Sequence, residues 1–217
     1  MFYKRCLNHI RWPNQSFNDL SLRDANLEGA EIFGHSIYPE AIGNYDGRDL
    51  WWLVLAKDED NHRVLLLALD CVATREYHGE SEDITWKECD LRRWLNGVFL
   101  RDAFYGDYER INPVTIHTND NPEYNTSGGE DAEGDKLFLL SLEELREYFA
   151  VTEYYTPDDN LVACLNGIRV WWWLRSPGIR SYGVASVRYD GSVYVNGTHV
   201  SWPGGGVRPA FWLNLQS

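Results

Sequence analysis

Val170-Trp171-Trp172-Trp173-Leu174-Arg175-Ser176-Pro177-Gly178 and Gly206-Val207-Arg208-Pro209-Ala210-Phe211-Trp212-Leu213 are the two stretches on which the fold turns. Each is a short apolar run, rich in aromatic and β-branched residues and bounded by Gly or Pro, the pattern of a buried strand. The residues between them alternate in hydrophobicity and are punctuated by Asp190-Gly191 and Asn196-Gly197. Such pairs signal hairpins, because both central residues of a type I′ turn need positive φ. A three-stranded meander over residues 184–189, 192–195 and 198–202 is therefore expected, with a closing strand at 207–213. Within the meander Val184, Val187, Val193 and Val195 are the core candidates, and Arg188, Tyr189, Tyr194, Asn196 and His199 the positions expected toward solvent. Arg175 and Arg208 sit inside the apolar blocks and read as structural anchors that hold loop backbone through charge-assisted hydrogen bonds. Rigid blocks framing a polar segment suit a scaffold that displays a surface.

Upstream, Trp51-Trp52-Leu53-Val54-Leu55-Ala56 and Arg63-Val64-Leu65-Leu66-Leu67-Ala68-Leu69 flank a polar turn and read as an antiparallel hairpin. Thr85 with Glu88 makes a capping box ahead of Leu91, Trp94, Leu95 and Val98 at helical spacing, and Asn96-Gly97 is expected to end or kink that helix. Residues 136–140 read as a short strand, and Ser141 with Glu144 opens a second helix through Leu142, Leu145 and Phe149. Residues 117–135 and 156–160 lack periodicity, are rich in turn formers and read as surface loops. Nearer the start, Phe17, Leu22, Leu27 and Ile32 recur every five residues, a spacing that resembles pentapeptide repeats. Four such repeats make one coil, which cannot bury its own core. Residues 1–45 are thus read as an irregular N-terminal extension laid on a main domain spanning 46–217, with a pentapeptide-like segment as the other reading.

A chain of 217 residues suits one domain with a short extension. Ten Trp and thirteen Tyr against one Met mean an interior built from large rigid groups. The formal net charge of -13 opposes nucleic-acid binding by phosphate neutralisation. Residues 154–217 carry five Arg and three Asp, net +2, which leaves -15 on residues 1–153. The C-terminal third can therefore face a partner of either sign. No window approaches the roughly 18 apolar residues of a membrane span, and Met1-Phe2-Tyr3-Lys4-Arg5-Cys6 lacks the apolar core of a secretory signal. Cys6, Cys71, Cys89 and Cys164 are scattered, without a Cys-x-x-Cys spacing, and read as mostly buried free thiols, with a disulfide pair as the other reading.

These features resemble the DUF6273 type of bacterial and phage domain, a family of uncharacterised function associated with C-type-lectin-like folds. The likeness spans roughly residues 46–215. It rests on Ile84-Thr85-Trp86 with Leu91-Arg92-Arg93-Trp94-Leu95-Asn96, on Phe138-Leu139-Leu140-Ser141, and on the two blocks quoted first. It implies an α+β, C-type-lectin-like domain with two helices around a twisted antiparallel sheet, plus the short N-terminal extension. Some domains of that architecture are the variable proteins of diversity-generating retroelements, in which adenine-directed mutagenesis rewrites a C-terminal cassette to create new ligand-binding surfaces. The resemblance places that variable surface at Ile179, Arg180, Ser181, Tyr182, Ser186, Arg188, Tyr189, Tyr194, Asn196, Thr198, His199, Ser201 and Trp202. Mutated Asn-type codons cannot yield Lys, Glu, Gln or Met, and none of these lies between Ile179 and Gly206. Lys, Glu and Gln are, however, absent from all of 154–215, so the pattern is not peculiar to the cassette. Trp202 fits no such codon and reads as scaffold or as a fixed binding aromatic.

Chemistry finds less support. Formylglycine-generating enzymes share the architecture but need a C-terminal redox-active cysteine pair, and here only Cys164 follows Cys89. Calcium-dependent sugar binding needs a compact set of oxygen ligands, and the lectin motifs of the Glu-Pro-Asn and Trp-Asn-Asp kinds are absent. The acidic loop around Asn119, Asp120, Asn121, Glu130, Asp131, Glu133 and Asp135 reads as a solvated loop, and His78, His117 and His199 as isolated surface residues. Tyr, Arg, Ser and Asn mixed on exposed strand positions suit a binding surface. The expected function is non-catalytic recognition of a protein or glycan ligand, with no cofactor, metal, nucleic acid or membrane insertion, in the cytoplasm or on a phage particle. A structural or assembly domain of a phage or bacterial complex is the alternative, and the formylglycine-generating type the third.

Overall fold

The computed structural model describes residues 40–215, Tyr38 and the short strands Ile10–Arg11, Glu31–Ile32 and His35–Ser36. These three strands pair antiparallel with one another. The five-residue spacing of Phe17, Leu22 and Leu27 lies outside the described residues.

The domain mixes α and β structure around two main sheets. In chain order its principal elements are Trp52–Asp58 (β1), Arg63–Ala68 (β2), Ala73–Arg75 (β3), Asp90–Trp94 (α1), Leu100–Ala103 (α2), Ile111–Asn112 (β4), Leu142–Phe149 (α3), Trp172–Pro177 (β5), Gly183–Val187 (β6), Val193–His199 (β7), Gly205–Val207 (β8) and Ala210–Asn214 (β9). One sheet has the order β1-β2-β9-β4, the other β7-β6-β5-β8-β3. All pairings in these sheets are antiparallel except β5 with β8, which run parallel with Trp172 opposite Gly206. The closing strand expected at 207–213 is in fact two strands in different sheets. The chain crosses from one sheet to the other at Arg208-Pro209, beside residues 69–72, which make the same crossing between β2 and β3. The two crossings are stitched by Ala68 N–H to the Pro209 carbonyl and Val72 N–H to the Val207 carbonyl, both 2.8 Å. Arg208, 1% exposed, donates from Nε to the Ala68 carbonyl (2.9 Å) and from Nη2 to that of Leu69 (3.3 Å). Its guanidinium stands 5.0 Å over the Trp172 ring. A charge that binds two carbonyls at the junction fixes the angle between the sheets.

Buried rings fill the interior. Trp52 packs edge-on against Phe211 at 4.6 Å, and Phe104 lies 5.6 Å from Phe211; each such burial contributes roughly 1.5–3 kcal/mol. The indole N–H groups are not wasted: those of Trp52, Trp172 and Trp173 reach the carbonyls of Ile42, Leu161 and Arg75, each at 2.9 Å. Cys71 and Cys89 are buried free thiols, whereas Cys164 is disulfide-bonded. Burial pushes both free thiols up, Cys89 to about 12.

Several local expectations are corrected. The first helix is capped by Cys89, whose Sγ accepts the Arg92 N–H (3.4 Å), while Thr85 stands one turn ahead, its carbonyl accepting from the N–H groups of Glu88 and Cys89. Asn96-Gly97 does not end it. It lies in a π-helical turn, Leu95–Phe99, that leads into α2. The wider turn rotates Val98 out to solvent. Asn96 also holds the 136–140 segment, accepting from the N–H groups of Lys136 and Leu137 and donating to the carbonyls of Leu137 and, in its own helix, Arg92. That segment is buried from Leu137 to Leu140 but forms only a bridge, Phe138 to Ala210. The Ser141–Glu144 capping box forms in both directions and opens α3. Residues 117–135 are not a loose loop, because Asn121 is fully buried and uses its whole side chain. Its Nδ2 donates to the carbonyls of Pro177 and Val195, and its Oδ1 accepts from Glu123 and Tyr124 N–H.

The expected meander exists, but its strands are β5, β6 and β7. Asn196-Gly197 is not a turn: β7 runs through it, and the β6–β7 register shifts between Val184 and Ser186. The reason is a close approach of two backbones. A Cβ on Gly197 would lie 2.7 Å from the Gly178 Cα, and one on Gly178 would lie 2.4 Å from the Asn196 carbonyl oxygen. At Asp190-Gly191 only Gly191 has positive φ (+82°), so the turn is not type I′. It closes with Gly191 N–H to the Arg188 carbonyl and Arg188 N–H to the Ser192 carbonyl, a three-residue hairpin loop.

Candidate functional site

Side chains of the segment between the two blocks separate by depth. Ile179, Arg180, Tyr182, Arg188, Tyr189 and Trp202 are exposed, whereas Ser181, Tyr194, Asn196, Thr198, His199 and Ser201 are half-buried. Ser186 does not reach the surface. It is 2% exposed, inside an entirely buried β6, and its hydroxyl pairs with that of Thr198 at 3.0 Å. Gly183 pairs with His199 at one end of the β6–β7 hairpin and Val187 with Val193 at the other. The exposed groups thus form two patches, roughly 15 Å apart along the strands.

The first patch gathers Tyr182, His199, Ser201 and Trp202. Tyr182 and His199 stack with ring centroids 5.4 Å apart. His199 Nε2 lies 3.1 Å from Ser81 Oγ, while its Nδ1 faces Ser201, whose Oγ is 3.1 Å and whose N–H is 3.4 Å away. Backbone bonds bring the loop at 79–84 to this patch: Ile84 N–H reaches the Ser181 carbonyl, and Tyr77 and His78 N–H groups share that of Val200. The buried His78 ring lies between two carboxylates. Glu82 Oε1 is 2.9 Å from Nε2, and Asp90 Oδ2 is 2.8 Å from Nδ1, close but not aligned for a hydrogen bond. Asp90 also accepts from Gly79 N–H (2.9 Å) and Arg93 (2.5 Å), and those two hydrogen bonds hold its carboxyl below the ordinary 3.8. A depressed folded-state value means that Asp90 stabilises fully above pH 3.8 and loses that contribution as pH falls through its lower folded value. Asp90→Asn should therefore lower the urea midpoint at neutral pH, and the gap from the native protein should close below pH 3.8. A gap independent of pH would show that Asp90 acts by shape alone.

The second patch surrounds the hairpin turn. Arg188 stacks 4.3 Å over Tyr194, and Tyr155 meets Tyr194 edge-on at 6.3 Å. Asn196 Oδ1 accepts the hydroxyls of both Tyr124 (2.8 Å) and Tyr155. Burial first, then the Tyr124 contact, pushes the Tyr155 hydroxyl up to about 12. Asp190 is held low by the hydroxyl and then the N–H of Ser192, which fixes the turn. Beside it, residues 150–153 and 156–158 with Leu161, Gly191 and Val193 line a cleft of about 170 Å³.

The family model for the domain of unknown function DUF6273 matches residues 61–215. The chain belongs to the DUF6273 family. The match opens in the turn between β1 and β2, later than the roughly 46 expected, although β1 is the partner strand of β2. Both patches fall inside it. No curated protein and no solved structure matches the chain.

Within this DUF6273 domain the polar groups are mostly committed to structure. Among the described residues no group of three or more His, Cys, Asp or Glu is placed to hold a metal ion. In the acidic loop, Asp135 binds Arg92 and the Trp86 indole, Glu130 binds Lys87, and Asp131 binds His117. Ser81 Oγ and His199 Nε2 have the spacing of a nucleophile and its base, and Nδ1 of the ring faces the N–H and hydroxyl of Ser201 rather than a carboxylate. Among the described residues no helix is long and apolar enough to cross a membrane. Arg175 is buried and joins β5 to α3 through Glu144. Ser81, Tyr124 and Tyr155 escape a reading that looks only between the apolar blocks. Aromatic residues inside otherwise polar loops were the available signal for the two tyrosines, and Ser81 offered none.

Proposed function

We propose that this DUF6273 domain is a non-catalytic recognition module with a C-type-lectin-like fold, whose C-terminal segment displays a ligand-binding surface rewritten by a diversity-generating retroelement. One observation carries the reading. Between residues 178 and 204 the exposed positions are confined to 179–180, 182, 188–189 and 202–204, while Trp172–Pro177 and Gly205–Val207 on either side are buried throughout. Large rings on a rigid frame bind with little loss of conformational freedom. Rewriting such a segment must spare the positions that pack, among them Gly178, Ser186, Gly191 and Gly197 as well as the buried valines at 184, 187, 193 and 195.

The test is a binding screen of the protein against host surface proteins and glycans, repeated with Tyr182, Tyr189 and Trp202 all exchanged for Ala. Ligands found with the native protein should be lost by the triple variant, with stability changed by no more than about 0.5 kcal/mol per site. Ligands that bind the variant undiminished would sink the reading.

A further inference from the structure

The first patch puts aromatic faces beside carboxylates. Tyr182 and Trp202 are 44% and 59% exposed, and among the described residues no cation stacks on either ring. Ser81 touches His199, which stacks on Tyr182, so its neighbours Glu80 and Glu82 stand at the margin of the patch, each Cα about 3.8 Å from that of Ser81. Glu80, Glu82 and Asp83 are all exposed, and neither Glu80 nor Asp83 pairs with a cation among the described residues. Arg180 is the one opposing charge on the adjoining 179–182 loop.

A guanidinium stacks flat on an aromatic ring while its edge hydrogen-bonds a carboxylate, which an ammonium does less well. The same chain does this internally: Arg63 lies 4.4 Å over Trp212 while its Nε donates to Asp58 at 2.8 Å. Resting on the recognition reading above, we propose that the Tyr182, His199 and Trp202 patch, with the carboxylates of residues 80–83, docks an arginine-bearing segment of a partner protein. The rings supply the stacking face. The carboxylates supply the edge partners, and the net charge of -15 on residues 1–153 draws such a partner in.

Fluorescence anisotropy with a labelled peptide of three Arg-Gly-Gly repeats tests this at roughly physiological salt. A peptide with citrulline in place of arginine should bind about fivefold more weakly or worse, as should Trp202→Ala and Tyr182→Ala. Trp202→Phe, which keeps a ring, should retain part of the affinity, and Tyr189→Ala, in the other patch, all of it. Native-like binding by the two alanine variants, or an equal loss in Tyr189→Ala, would overturn the proposal, since attraction would then be diffuse. A neutral glycan that binds in the screen and is lost with Trp202→Ala, where the arginine peptide does not bind, would overturn it too, yet leave the recognition reading standing.

Discussion

Arg175→Met should cost about 3–5 kcal/mol of folding stability, the range for removing one partner of a buried ion pair, and lower the melting temperature by roughly ten degrees. Arg175 is 6% exposed and spends its side chain on three elements at once. Nη1 and Nη2 grip the two Glu144 oxygens at 2.5 and 3.0 Å, Nη1 also reaches the Leu139 carbonyl (2.6 Å), and Nη2 that of His117 (3.2 Å). The same Glu144 Oε2 accepts the Ser141 N–H at 2.8 Å, so one carboxylate both caps α3 and ties it to β5. Methionine keeps the stem's volume but leaves Glu144 as a half-buried anion with only the cap. Urea unfolding of Arg175→Met, Glu144→Gln and the double variant separates the pair from the cap. A coupling above about 1 kcal/mol is expected. A cost below 1 kcal/mol for Arg175→Met would mean that the carboxylate finds water, and the anchor reading would be wrong.

What can be read from sequence here depends on whether a residue's partner is near it in the chain. The Ser141–Glu144 box is a local exchange of hydrogen bonds, so four consecutive residues suffice to see it. The β1–β2 hairpin is equally local, and Val193 and Val195 follow from alternation; Val184 and Val187, three apart, lie on opposite faces and are both buried because β6 is buried throughout. Asn196-Gly197 shows the opposite case. Glycine carries the same signature whether it turns the chain or lets another strand pass, and only Gly178, distant in sequence, decides between them. Asn96 is a mixed case, because its side chain donates to the Arg92 carbonyl of its own helix but also serves residues 136–137, which are distant in sequence. The surface was legible as a segment but not as two patches. Tyr155 and Tyr124 enter the second from loops, and the loop at 79–84 enters the first through β3, which lies across the sheet from β7. Position along a strand was visible; what covers it was not.

Gly191→Ala should be among the most damaging exchanges of a single methyl in this chain, and Gly134→Ala is its internal control. Both glycines have strongly positive φ, +82° and +75°, and an alanine forced there costs about 1–2 kcal/mol. Around Gly134 nothing lies within 4 Å of a new Cβ, so strain is the whole effect. At Gly191 the Cβ would sit 1.7 Å from the Asp158 carbonyl oxygen and 2.6 Å from its carbon, which is backbone and cannot rotate away. Either the 156–161 loop or the 188–192 turn must move. Asp158 is held by its own Oδ1 to Asn160 N–H and by its carbonyl to Leu161 N–H, while Tyr155 N–H is fixed to the Val193 carbonyl. The displacement therefore reaches the contact of Tyr155 with Tyr194 and Asn196. Gly191→Ala should lose about 3 kcal/mol or more and change the near-ultraviolet circular dichroism of the tyrosine cluster, with Gly134→Ala leaving that spectrum intact. Equal losses in the two variants would mean that the loop yields freely. In that event Gly191 would hold its place for its φ alone, and the frame beneath the second patch would be softer than its packing implies.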